Sequence, residues 1–197
     1  MNSINNIPNL LTVLRIVLIP VFIVLFYLPV NWGREAATAV FVLAAITDWL
    51  DGYLARRLQL LTALGAFLDP VADKLMVATA LVLVVQADPA IGMAVAAAVI
   101  IGREITISAL REWMAEIGDR TKVAVSAIGK FKTTGQMTAI ALLIYRDDLF
   151  GIPIYTIGQI LLYIAVVLTL WSMLLYLRAA WPSLRGQQSR PQSPREP

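Results

Sequence analysis

The sequence predicts an all-α, polytopic membrane protein of six transmembrane helices with both termini cytoplasmic, and three observations predict it. Of 197 residues, 59% are hydrophobic and 15% charged, with a mean hydropathy of +0.75. A soluble domain carries about a quarter charged residues, so most of this chain faces something other than water. Several apolar runs reach the roughly 20 residues a helix needs to cross the hydrocarbon core, with almost no charge inside them. Finally, Lys and Arg are distributed unevenly between alternate connections.

In order, the spans are expected at about 8–29, 34–57, 64–86, 89–110, 131–147 and 154–177. The first opens with NNIPNLLTVLR, where Asn5 and Asn6 can cap and Pro8 suits a first turn, so it begins as an interfacial helix. Its apolar run is too long for a signal peptide, and neither a positive start nor a small-residue cleavage site accompanies it. The second span places Asp48, Asp51, Gly52, Ala55 and Arg56 on one helical stripe. Gly65, Asp69 and Asp73 form a stripe on the third, whose Pro70 either kinks the helix or marks its start. The fourth carries Arg103 after Gly102 and ends near Arg111 and Glu112, expected to be helix-end charges in water or to border the entrance to a site. The fifth begins in IGKFKTT, where Lys130 and Lys132 serve equally well as ordinary topology-setting charges. After the sixth comes PSLRGQQSRPQSPREP, so a membrane domain of residues 1–181 is expected to be followed by a disordered polar tail over 182–197.

Arg56, Arg57, Arg111, Arg120, Lys122, Lys130, Lys132, Arg178, Arg185, Arg190 and Arg195 fall on one side of this arrangement, and only Arg34 and Arg146 on the other. By the positive-inside tendency the first side is cytoplasmic. The net charge of +3 is spread over loops, which argues for topology and against nucleic-acid binding. The chain has no Cys and no His. Disulfides, thiolate metal sites and the usual neutral-pH base are thereby excluded.

Four aspartates in so apolar a chain need a reason. At about 1.5 Å of rise per residue, Asp48 lies about 21 Å along its helix from Arg34, and Asp73 about 22 Å from Asp88. The two stripes therefore share a depth on neighbouring antiparallel spans. Four carboxylates at low dielectric need counter-charge. Arg56, Arg57, Lys74 and Arg103 are one source, although Arg57 and Lys74 are expected to snorkel to the interface. A divalent metal is the other, and an oxygen-only donor set favours Mg²⁺ or Mn²⁺. Two such ions at one site are a recurrent device for phosphoryl transfer. Gly52 and Ala55 either let a ligand approach the backbone or serve helix packing.

These residues read D-x2-D-G-x2-A-R-x8-G-x3-D-x3-D, filled by Asp48, Asp51, Gly52, Ala55, Arg56, Gly65, Asp69 and Asp73. The pattern resembles the signature of the CDP-alcohol phosphatidyltransferases at all eight positions. NIPNLLTVLR, GREITISALREWMAE and AVSAIGKFKTTGQM extend the resemblance, towards the bacterial phosphatidylglycerophosphate synthases. It implies a homodimer in the bacterial inner membrane, with a divalent-metal site near the cytoplasmic face. It also implies transfer of the phosphatidyl group from CDP-diacylglycerol to sn-glycerol 3-phosphate, releasing CMP. By the same resemblance Asp48, Asp51, Asp69 and Asp73 hold the metals, and Gly52, Ala55 and Arg56 line the nucleotide. Thr12 and Arg15 are further candidates for nucleotide contact. Asp73 is the expected general base, since a base must reach the attacking hydroxyl.

The acceptor is a dianion and needs cations. Arg103 is the first candidate, ahead of a simple pairing with Glu104, because adjacent helical residues point apart. Lys130 and Lys132 join it through the resemblance. The nearest rival is a sister enzyme with serine, inositol phosphate or phosphatidylglycerol as acceptor, which the donor signature does not distinguish. A small cation transporter is a distant rival, because carboxylates at one depth do not mark a route across the membrane.

Overall fold

Apolar side chains surround most of the helices in this chain, a pattern that suits burial in protein on one side and in lipid on the other. The computed structural model describes residues 7–58, 63–116 and 127–186. They form α1 (Ile7–Tyr27), α2 (Gly33–Leu58), α3 (Ala63–Ala87), α4 (Ile91–Glu116), α5 (Ala127–Tyr145) and α6 (Ile154–Gly186). Among the described residues there is no strand, only an isolated bridge between Leu149 and Ile152. Four helices, α1, α3, α4 and α6, contain stretches long and apolar enough to cross a membrane. The chain is a multi-pass membrane protein. The other two are not among them: α2 carries Arg34, Glu35, Asp48, Asp51, Arg56 and Arg57, and the shorter α5 opens with Lys130 and Lys132.

Three boundaries resolve or revise the sequence reading. Pro8 does fall in the first turn of α1, where its missing N–H removes no helical bond. Pro70 lies inside α3, so it is neither the start of that helix nor near it. And α6 continues through Pro182 to Gly186, past the point where the composition turns polar. A proline costs one i to i−4 bond, and a turn already under way tolerates it.

The core is built where the helices meet. Phe22 of α1 lies against Phe41 of α2 with ring centroids 6.1 Å apart, and Met76, Leu81, Met93, Ile100, Ile140 and Leu162 continue it from the remaining helices. Small residues allow close approach. A Cβ on Gly158 would stand 3.1 Å from Leu142 and Leu143 and 3.2 Å from the Ala139 carbonyl, so this glycine sets how tightly α6 sits on α5. Outward positions are just as apolar: Val24, Val82, Val95, Ile105, Val167 and Trp171 are exposed. In water this would be a large aggregation surface; against acyl chains it has no desolvation cost.

α2 contacts α1, α3 and α5, and α3 contacts α1, α4 and α5. That arrangement brings the middle of α2, the first half of α3, the middle of α4 and the first half of α5 around one region of the bundle.

Candidate functional site

Asp48 lies just past the middle of α2, and Asp73 in the first half of α3. Both line one cavity of about 540 Å³ between α2 and α5, whose other walls include Phe41, Val42, Ile46 and Leu142. Val42 and Ile46 are also exposed on the outer surface, so this space opens toward the lipid-facing side. Asp73 lines a second cavity as well, of about 240 Å³, with Lys74, Arg103, Glu104, Arg111 and Gln136. Asp73, Thr133 and Met137 are common to the two. One carboxylate thus stands where an apolar space meets a charged one.

The expected convergence of α2 and α3 carboxylates is seen for Asp48 and Asp73. Asp51, Gly52, Ala55 and Arg56 follow on the last turns of α2, Asp69 lies one turn before Asp73, and Lys130 and Lys132 lie in the first two turns of α5. The side chains of these seven residues fall outside the described set. Among the described residues no three carboxylates gather in a metal-binding group. The donor set nonetheless fits a hard cation, since two carboxylates line one cavity in a chain without imidazole or thiolate.

Asp48 has a cationic partner from α1. Arg15 Nη1 is 3.0 Å from Asp48 Oδ1, with the arginine side chain only 1% exposed and the aspartate 44% exposed. Thr12, one turn earlier, is fully buried. Arg15 therefore stands behind Asp48 and holds it from the protein side, leaving the carboxylate partly open to the cavity.

Arg103 corrects an expectation. Its Nη1 lies 2.6 Å from Glu104 Oε1, although adjacent residues on a helix point apart. The arginine side chain is long enough to fold back across the helix surface, and at 10% exposure it has little water to compensate its charge. Its Nη2 reaches Ser172 Oγ of α6 at 3.4 Å, and Ser172 in turn donates to the Thr169 carbonyl at 2.9 Å. Arg103 is thus anchored on two helices and still lines the charged cavity.

Three more residues line the charged cavity. Lys74, expected either to pair with a carboxylate or to snorkel, lies beside Asp73. Arg111 is exposed, as expected of a helix-end charge, and borders the cavity, donating to the Tyr176 hydroxyl at 3.4 Å with its guanidinium 5.4 Å from that ring's centre. Glu112 is exposed as expected. Gln136 was not singled out; the available signal was an amide two residues beyond KFKTT, where α5 turns apolar.

The chain is similar to known proteins over most of its length. The family model described as CDP-alcohol phosphatidyltransferase matches residues 5–171. A Pseudomonas fluorescens protein named CDP-diacylglycerol–glycerol-3-phosphate 3-phosphatidyltransferase is 59% identical over 182 residues, covering 91% of this chain and 92% of its own. Proteins of the same name from Shigella flexneri serotype 5b (strain 8401) and Escherichia coli (strain K12) are each 54% identical over 182 residues, covering 92% of this chain and 98% of their own.

Proposed function

Because the chain belongs to the CDP-alcohol phosphatidyltransferase family, we propose that it transfers the phosphatidyl group of CDP-diacylglycerol to sn-glycerol 3-phosphate, giving phosphatidylglycerophosphate and CMP. The observation that carries this reading is the meeting of an apolar and a cation-lined cavity at Asp73, in a chain so similar to enzymes named for that reaction. A donor with two acyl chains and a pyrophosphate needs an apolar space open to lipid beside a polar one. An acceptor with a phosphate dianion needs cations that are held in place.

The acyl chains of the donor occupy the space between α2 and α5, and its nucleotide lies along Gly52, Ala55 and Arg56 with Thr12 and Arg15 behind. Glycerol 3-phosphate enters the charged cavity, its phosphate on Arg103 with Lys130 and Lys132, and Arg111 at the far wall. Asp73 takes the proton from the C1 hydroxyl as its oxygen attacks the phosphorus that bears diacylglycerol. The new O–P bond forms, the bond from that phosphorus to CMP breaks, and CMP leaves with the bonding electron pair. Arg15 keeps Asp48 aimed at the donor. Asp48, Asp51, Asp69 and Asp73 would hold Mg²⁺ or Mn²⁺, two ions in all, and the chemistry such ions supply is neutralisation of charge at the phosphates. The protein works as a homodimer in a bacterial inner membrane, both termini and the site facing the cytoplasm, where the positive charges concentrate.

The test is incubation of purified protein with CDP-diacylglycerol, Mg²⁺ or Mn²⁺, and radiolabelled glycerol 3-phosphate, serine, inositol, inositol phosphate or phosphatidylglycerol. A new labelled lipid species formed from glycerol 3-phosphate alone is the expected result. Labelling from another acceptor in its place would assign the protein to a sister activity.

A further inference from the structure

Gln136 lies in the first half of α5, in a stretch where its neighbours Met137, Ala139 and Ile140 serve the packing of the bundle. It is 4% exposed, and its Oε1 is buried without a hydrogen-bond partner among the described residues. A buried amide oxygen left unpaired is costly, and in a membrane protein it has no bulk water to fall back on. Such a group is explained when something that visits the site completes it. Gln136 lines the charged cavity together with Asp73 and Arg103. In the functional reading above, on which this inference rests, those two residues hold the two ends of the acceptor: Asp73 the C1 hydroxyl and Arg103 the phosphate on C3. Between them the acceptor has one remaining polar group, the hydroxyl on C2. An amide suits that group because a hydroxyl can donate to its oxygen or accept from its nitrogen.

We infer that Gln136 is a specificity-determining residue that hydrogen-bonds the C2 hydroxyl of the acceptor and so selects a glycerol phosphate over phosphorylated alcohols lacking that hydroxyl. Arg103 and Asp73 together recognise only an alcohol and a phosphate at a suitable separation. Gln136 reads what lies between. A site that hydrogen-bonds a substrate hydroxyl discriminates strongly against the analogue without it, because the buried protein group is then left unpaired.

The experiment compares glycerol 3-phosphate with 3-hydroxypropyl phosphate, the same molecule without its C2 hydroxyl, in the wild-type protein and in Gln136→Met, which keeps side-chain length and removes the amide. In the wild type kcat/KM should fall about tenfold or more for the deoxy analogue, the effect of one buried hydrogen bond. In Gln136→Met the two acceptors should be used almost equally, with glycerol 3-phosphate reduced to the level of the analogue and the KM for CDP-diacylglycerol unchanged. Equal use of the two acceptors by the wild type overturns the inference without need of any variant, and so does an undiminished preference in Gln136→Met. If the wild type transfers to no glycerol phosphate at all, the functional reading fails and the inference with it. Normal transfer with an unmoved preference sinks the inference alone.

Discussion

Two polar clusters, one where α3 ends and α6 begins and one near the middle of α3 and α4, differ in how completely they satisfy themselves. Where α3, α5 and the start of α6 meet, the Tyr155 hydroxyl and the Gln159 amide donate to Asp88 Oδ2, and Arg146 donates to the Ala87 carbonyl at 3.1 Å while its guanidinium lies 5.2 Å from the centre of the Tyr155 ring. Arg146 adopts φ 67°, the left-handed conformation that often ends a helix and usually goes to glycine or asparagine. Its two side-chain contacts hold an arginine there instead. Each charge here meets neutral polar or aromatic partners. At the other cluster, Asp73, Arg103 and Gln136 face a space of about 240 Å³, and Arg103 Nε and Gln136 Oε1 are buried without partners among the described residues. The first cluster ties helix ends together; the second leaves two buried polar atoms unpaired among the described residues. Incomplete pairing around a cavity, more than burial or charge itself, separates a site from a clamp.

The comparison predicts effects of different size and kind. The largest belong to the carboxylates. Asp73→Asn should lower kcat by about 10²- to 10⁴-fold, the range for loss of a general base, with the protein eluting and melting like the wild type. Asp48→Asn, Asp51→Asn and Asp69→Asn should each abolish transfer. Retention of near wild-type rates by all three would make these aspartates structural. Chelation is next: EDTA should stop the reaction, Mg²⁺ or Mn²⁺ should restore it, and Ca²⁺ should not, because its looser coordination holds transfer geometry poorly. Full turnover in metal-free buffer would remove the ions from the reading.

Arg103→Lys is the sharper probe. It keeps the charge but loses the planar fork that can grip phosphate through two hydrogen bonds, and it also loosens the tie to Glu104 and Ser172. The KM for glycerol 3-phosphate should rise about tenfold to a hundredfold, corresponding to roughly 1.5–3 kcal/mol, and the KM for CDP-diacylglycerol should move much less. A change confined to the melting temperature would make Arg103 part of the packing. The smallest effect is expected at the clamp. Tyr155→Phe removes one hydrogen bond to Asp88, costing about 1 kcal/mol and about 2–4 °C of melting temperature in detergent, with both KM values unchanged. An altered KM there would join the two clusters functionally and dissolve the contrast.

Periodicity alone placed much of this molecule. The six helices lie within a few residues of the expected spans at most ends, because a run of apolar residues interrupted by Pro, Gly and charge dictates where a helix can stay in lipid. The common depth of Asp48 and Asp73 also followed from rise per residue, and the two do line one cavity. What a single helix could not reveal is which neighbour its stripe would face. Pairing of Arg103 with Glu104 was ranked second to acceptor binding, yet the pair forms, because a long side chain beside a helix with few water-exposed directions takes the nearest oxygen. Lys74 was expected to pair with a carboxylate or to snorkel, Arg111 to end a helix in water or border the entrance, and Gln136 was given no role; α3, α4, α5 and α6 come together so that all three line the same cavity. Sequence determined which residues are polar, how far apart they lie along a helix and which share a helical face, since these depend only on the order of residues and the geometry of one helix. The rotation of each helix against its neighbours is set by side-chain packing summed over the whole bundle, by contacts such as Gly158 against α5, and so only the tertiary structure decided that Asp73 would stand between an apolar cavity and a charged one.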